Sequence, residues 1–457
     1  MTVEGKGLME RMFHVAERGS DVKTECIAGI TTFLSCASVV ILNPAILANA
    51  GMDTKAVFWA TALSIFIACM LMGVWGNFPI ALGPAIGLSS FMAFYVVKTL
   101  GMSWQNGLAC VCISGCSFML LGLLKVQQKI VDGIPICIKQ ALGAGVGFFI
   151  AFIGFQEAGI VVASPDTLLT LGDLGNPGTV IALVGIIVTA VLVIKNVKGG
   201  ILIGIVVVAF LGLFAQNPLT GESYTKLPSA VLSFDNPVEA LAPTFGQLSL
   251  KGMFSGDFHK TVGVIFAIFS FLMVDLFDSI SVLLGVAPKA GMVREDGSIP
   301  DAGKALFVSA SGAAIGAVLG TSTVSIYGAE SVTGISVGGR TGLTACVTGF
   351  CFLLTLFFSP VFLMIPSIAI SPALIMVGIF MMEPLCHLDL SDFTVSMPVF
   401  FAVIMMPFTY NIANGVLFSV LSYTLCMIGS GRGKKLSKIV VVLSILFAFY
   451  LFLDVLL

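Results

Sequence analysis

Asp275 and Asp278 stand three residues apart inside the apolar run 261–286, and a third acid, Glu330, lies in a Gly/Ser/Thr-rich stretch just before Gly338-Gly339-Arg340. An acid at the centre of a bilayer costs about 2.5–3.5 kcal/mol even on the gentlest insertion scale, so a chain keeps one there mainly for a task that needs it. Asp275 and Asp278, at i and i+3, share one helical face. Two close acids in a poorly solvated place resist being ionised together, which is the property a proton-coupled carrier uses. For this pair the competing reading is an internal polar contact with Ser, Thr or backbone. For Glu330 it is a first-turn acid stabilised by the helix dipole.

The elements that must position these acids are membrane spans. Of 457 residues 58% are hydrophobic and 10% charged, with a mean hydropathy of +1.08, a composition that soluble packing cannot hide. Apolar segments long enough to cross recur at 26–50, 56–75, 106–124, 141–162, 179–194 and 200–215, then at 261–286, 305–320, 343–365, 372–382, 397–406, 412–428 and 439–456. Two weaker, Gly/Ser-interrupted segments lie at 83–97 and 321–337. The expectation is an all-α polytopic protein with about fourteen crossings, the region 397–428 being the hardest to divide. The first 25 residues are charged and lack the apolar core of a cleavable signal.

With a cytoplasmic N-terminus and alternating sides, seventeen of the 22 Lys and Arg fall inside, Lys6, Lys125, Lys129 and Lys198 among them; only Lys55, Lys98, Lys226, Lys251 and Lys260 fall outside. Such asymmetry sets orientation and places both termini in the cytoplasm of a cell (plasma or inner) membrane protein. A net charge of −2 and the lack of a basic, aromatic-interleaved cluster give no reason to expect nucleic acid. The eleven cysteines form no C-x-x-C pair, and with three histidines neither a metal nor another cofactor is expected. No nucleophile–base set suggests an enzyme.

The chain repeats itself. Gly115-x-x-Phe118-x-Leu120, Ile134-Pro135 and Val146-Gly147-Phe148-Phe149 return in order as Gly349-x-x-Phe352-x-Leu354, Ile365-Pro366 and Val377-Gly378-Ile379-Phe380. Seven crossings per copy is an odd number, so the second copy enters the membrane inverted, as in secondary transporters. In such folds the site lies where spans are broken near the midplane. Spans 3 and 10 fit: Gly83-Pro84-Ala85-Ile86-Gly87-Leu88-Ser89-Ser90 and Gly320 to Ser331 each read as extended backbone leading into a half-helix. Close helix packing is the plainer reading of either stretch taken alone. Asn43-Pro44 reads as a kink with a polar contact toward the site, Gln156 and Glu157 as interfacial residues, and Asn411 and Asn414 as a break between crossings.

Several strings resemble the AzgA-like purine permeases of the nucleobase:cation symporter-2 (nucleobase–ascorbate transporter) family. They are Val274-Asp275-Leu276-Phe277-Asp278-Ser279, Gly320-Thr321-Ser322-Thr323-Val324, Gly338-Gly339-Arg340-Thr341-Gly342-Leu343-Thr344-Ala345, Asn43-Pro44-Ala45-Ile46-Leu47 and Ser371-Pro372-Ala373-Leu374-Ile375. The likeness runs from about Gly19 to Gly429. It implies a uracil-transporter-like 7+7 inverted repeat, dimeric and elevator-moving, that imports adenine, guanine or hypoxanthine with protons. On that plan residues 1–25 are a cytoplasmic N-terminus, 26–132 and 259–359 the core, 133–216 and 360–457 the gate with the C-terminal segment, and 217–258 an extracytoplasmic loop.

The resemblance further implies that Asp275 and Glu330 grip the purine, with Asp278 beside them in coupling. Backbone around Ser89, Ser90 and Tyr327 would meet ring acceptors, and Phe91, Tyr327 or Phe277 would stack on the ring. The chain departs from the family pattern at Ser89 and Glu157, where Asn is usual, and in the stretched Tyr327-Gly328-Ala329-Glu330-Ser331. Another nucleobase, or a small anion, on the same fold is the alternative.

Overall fold

The computed structural model describes residues 8–124, 133–197, 199–218, 221–228, 230–254, 258–294 and 299–456. Lys6, Lys125, Lys129 and Lys198 of the charge count, and the expected boundary at 132, lie outside the described residues. The helices are α1 Leu8–Phe13, α2 Val22–Cys36, α3 Val39–Ala48, α4 Thr54–Leu71, α5 Ile86–Ser90, α6 Trp104–Leu123, α7 Ile136–Glu157, α8 Pro177–Ile194, α9 Gly200–Gly212 and α10 Pro237–Leu241. They continue with α11 Phe258–Lys289, α12 Ala302–Leu319, α13 Ala329–Ser336, α14 Gly342–Thr355, α15 Ser359–Leu363, α16 Ser367–Phe380, α17 Phe393–Thr409, α18 Ile412–Gly429 and α19 Lys438–Leu456. Four short strands accompany them: β1 Leu82–Pro84, β2 Val161–Ser164, β3 Leu168–Leu171 and β4 Val324–Ile326.

Among the described residues ten helical stretches are long and apolar enough to cross a membrane, and Ile86–Thr99, Gly200–Gly212, Phe393–Thr409 and Lys438–Phe449 are shorter apolar helices. Short polar residues start many of them. Asp21, Asp53, Ser103, Asn176, Thr341, Asp392 and Asn411 each accept a first-turn backbone N–H with the side chain. The region 397–428 divides at Tyr410, which ends α17 in the left-handed conformation at φ +50°, with Asn411 capping α18. The expected segment 141–162 ends early. Gly159 turns the chain at φ +68° and the β-branched Ile160-Val161-Val162 enters an antiparallel hairpin, β2 with β3, instead of extending α7.

The repeat written in the sequence is also written in the packing. α6 lies against α12 as α14 lies against α4, and α6 lies against α11 as α14 lies against α2. α7 packs on α16, α17 packs on α7 as α8 packs on α16, and α17 pairs with α18 as α8 pairs with α9. Pro135 and Pro366 stand immediately before α7 and α16. Gly147 and Gly378, twelve residues on in each copy, meet across the pseudo-twofold: a Cβ on either would come within 3 Å of the other's carbonyl oxygen. The same small residue is thus used twice to bring two backbones together.

At the end where the chain begins, Glu25 of α2 is fully buried and reaches into the second copy. Its carboxylate accepts from Arg340 N at 2.9 Å and from the Thr344 hydroxyl at 2.6 Å, satisfying donors just before and in the first turn of α14. Arg18 donates to Asn77 O and Arg340 O beside it. Partial burial lowers the Arg18 guanidinium from its usual value, and the Glu25 charge opposes that.

Candidate functional site

The two broken spans cross one another as an antiparallel pair. β1 and β4 are in register Leu82↔Ile326, Gly83↔Ser325 and Pro84↔Val324. Tyr327 N donates to Ala81 O at 2.9 Å and Ala85 N to Thr323 O at 2.8 Å, extending the ladder at both ends. The Tyr327 hydroxyl closes over it by donating to Pro84 O at 2.8 Å. Gly83 is required here, since a Cβ would sit 2.5 Å from the Tyr327 hydroxyl oxygen. Extended backbone deep in lipid is tolerable only when its polar groups are paired inside the protein, and each broken span supplies the other's partners. α5 starts two residues after β1, and α13 three after β4, so two half-helix N-termini flank the crossing.

Asn43 ties the crossing to its surroundings. Its amide nitrogen donates to Thr61 Oγ1 at 2.8 Å and Thr321 Oγ1 at 2.7 Å, and its carbonyl oxygen accepts from the Ser89 hydroxyl at 2.6 Å. Ser89 and Ser322 hydroxyls lie 2.5 Å apart. All five side chains are fully buried. The Asn-Pro dipeptide signalled a kink and a polar contact, but nothing in the sequence identified Thr61, Thr321 and Ser89 as its partners.

Asp275 is buried at 2% exposure, accepts from Ser279 at 3.4 Å and lies close to Ser325 on β4. Ser279 in turn contacts the Ser309 hydroxyl at 2.8 Å and that of Ser325 at 3.2 Å. Asp278 is half-buried and within electrostatic range of both Asp275 and Glu330. Glu330 stands in the first turn of α13, also half-buried. Among the described residues no Lys or Arg pairs with any of the three.

The remaining expected residues separate by face. Gly87, Ser90 and Phe94 follow one another at i, i+3 and i+7, one helical face. Gly87 lies against Val146 of α7 and Phe94 against Tyr410, so this face looks toward α7 and the α17–α18 break. Ser90 is fully buried and its hydroxyl has no partner among the described residues. Thr323 is its counterpart: buried, unpartnered, and on the same strand face as Ser325 beside Asp275. Ser89 instead spends its hydroxyl inside the scaffold. Phe91 is fully buried, stacked on Tyr95 at 5.0 Å and edge-on to Phe271 at 5.1 Å, and Phe277 is buried at 4% exposure.

A pseudo-symmetric, apolar helical array with two broken spans crossing beside buried acids defines a multi-pass membrane permease rather than an enzyme. The Permease family model (Xan_ur_permease) matches residues 23–418, and the chain belongs to that family, within the AzgA-like group its strings resemble. It is 38% identical over 443 residues to the adenine permease AdeP of Escherichia coli (strain K12), covering 97% of this chain and 96% of the relative. With the guanine/hypoxanthine permease PbuG of Bacillus subtilis (strain 168) it shares 39% identity over 454 residues, 97% of this chain and 99% of the relative. Among solved structures it is similar to the transmembrane domain of a cyanobacterium bicarbonate transporter, BicA, at TM-score 0.59 and 15% identity, covering 89% of this chain and 97% of that one. Murine Slc26a9 in the inward-facing state matches at TM-score 0.62 and 10% identity, over 94% of this chain and 73% of that one. At such identities these structures share the fold alone.

Proposed function

We propose that the protein imports purine nucleobases, adenine, guanine or hypoxanthine, by proton symport across the cell membrane. The observation that supports this best is the juxtaposition at the crossing of β1 and β4: half-helix N-termini and hydroxyls without a partner among the described residues, beside a cluster of acids with no basic partner among them. A purine offers N–H and exocyclic NH₂ donors, which Glu330 and Asp275 accept strongly when ionised, while its ring nitrogens and carbonyl accept from backbone N–H groups and from Ser90 and Thr323. Asp278, within range of both other acids, supplies the coupling. Three carboxylates without a cation do not all carry charge in a closed, poorly solvated site, so a proton enters with the base and leaves with it.

Residues 26–132 and 259–359 then form a core that carries the crossing, and 133–216 with 360–457 a gate against which the core slides, elevator-fashion, between two faces of the membrane. The termini are cytoplasmic and the transporter works as a homodimer. Uptake of labelled adenine, guanine and hypoxanthine into cells lacking their own carriers tests this. Saturable uptake is expected, abolished by an uncoupler and in Glu330→Gln; uptake indifferent to both would exclude the mechanism.

A further inference from the structure

On the side assigned above to the exterior, the ends of α7 and α8, Asn217, residues 222–226 and the turn into α16 line an open cavity of about 640 Å³. Its walls carry Gln156, Glu157, Asn176, Tyr224 and Ser367. Gln156 Oε1 is occupied by the Tyr410 hydroxyl, and Asn176 Oδ1 accepts from Gly178 N at 2.9 Å and from the Tyr224 hydroxyl at 3.1 Å. Each amide is thereby fixed with its NH₂ group left to donate. Glu157, half-buried, has no hydrogen bond or ion pair among the described residues, whereas Glu222 on the same wall is paired with Lys226 at 2.5 Å.

Two neutral donors beside a carboxylate that has no direct ion pair among the described residues, with Lys98 only within electrostatic range and Lys226 already paired with Glu222, select a narrow chemistry. An anion would meet Glu157, and a simple cation would leave both NH₂ groups unmatched. A neutral heterocycle that places carbonyl and ring-nitrogen acceptors beside a ring N–H, as a 6-oxopurine does, matches all three. The cavity is also connected to the crossing. The Tyr410 ring, held by Gln156, packs on Phe94, Phe149 and Phe152 at 5.8, 5.7 and 5.5 Å, and Phe94 lies one turn beyond Ser90. One aromatic layer separates the two places.

We propose that this cavity is a second, weaker binding site for the neutral heterocyclic base, a vestibule loaded before the base reaches the acids; it rests on the purine reading above. Equilibrium binding of labelled hypoxanthine to the full chain in lipid nanodiscs tests it. Two classes of site are expected. Glu157→Leu should weaken the looser class by about tenfold or more, and Ser367→Trp, which fills the cavity from its exposed rim, should remove it, both leaving the tighter class unchanged. Glu330→Gln should do the reverse. A single class, lost in Glu330→Gln and unaltered in both cavity variants, overturns the vestibule and leaves the purine reading standing. Absence of any hypoxanthine binding to the folded wild-type chain overturns both.

Discussion

The two broken spans share a plan and differ in what they carry. The first, β1 with α5, has no ionisable side chain between Leu82 and Ser90, and Ser89 is bonded to Asn43 and Ser322. The second, β4 with α13, brings Ser325 to Asp275 and sets Glu330 within range of Asp278. Duplication supplied two equivalent half-helices, and the ionisable groups are concentrated beside one. The neutral copy serves as the surface against which the charged copy is aligned, because each supplies the other's backbone partners.

The largest effect should come from the charged copy. Glu330→Gln and Asp275→Asn are expected to lower kcat/KM for purine uptake by about 100-fold or more, the scale of a lost charged hydrogen bond plus lost coupling. Labelled uptake with and without an uncoupler measures it, and a Ser89→Ala variant equally impaired would erase the distinction between the copies.

A lesion in the scaffold should instead appear as instability. Asn43→Ala leaves Thr61, Ser89 and Thr321 short of their buried partner, which costs about 2–3 kcal/mol; thermal unfolding in detergent checks it. Ser89→Asn, although it restores the residue usual in the family, adds volume between Asn43 and Ser322 and should destabilise by about 1–3 kcal/mol. Improved uptake at undiminished stability in that variant would show that position 89 faces the substrate after all.

Smaller still is the effect expected at the unpartnered hydroxyls. Ser90→Ala and Thr323→Val remove groups with no protein partner, so stability should hold while KM rises about five- to tenfold, a neutral hydrogen bond to ligand. An unchanged KM would reassign both to packing.

The smallest effect serves as a reference outside the crossing. Arg432 donates to Asp392 at 2.8 and 3.2 Å, joining the start of α17 to the turn after α18, and holds the Asp392 carboxyl well below its usual range. A depressed carboxylate stabilises above its unfolded pKa of about 3.9, and the contribution is lost only as pH falls through the lower folded value. Between pH 5 and 8 this pair is therefore silent. Arg432→Met should change uptake by less than about twofold and leave the shape of its pH profile intact; a profile that moves would locate the titrating group here rather than among the acids.

Much of this plan was legible because lipid makes polarity conspicuous. Asp275, Asp278 and Glu330 stand out against their runs, and Pro135 with Gly147 announces Pro366 with Gly378. The partners of Asn43 were not legible: Thr61, Ser89 and Thr321 belong to three sequence regions, and a buried hydroxyl looks in sequence like any small residue of a packed helix. Glu25 was hidden for the opposite reason, as an acid among the charges that precede the first apolar run and so indistinguishable from a solvated one. The β2–β3 hairpin was missed because Val161 and Val162 continue the apolar run of α7, and only Gly159 marks the turn. Ser89 and Ser90 look interchangeable as letters; helical phase alone assigns one to the scaffold and leaves the other unengaged.

The ladder between Leu82–Pro84 and Val324–Ile326 also has a bearing on biogenesis. The earlier strand reaches the bilayer roughly 240 residues before its mate is synthesised. Until then its amides and carbonyls have no permanent partners, and hydrocarbon offers none. Translation must pass Ile326 before the amino-terminal copy can adopt its mature form, which makes the nascent half a natural client for insertase or chaperone assistance.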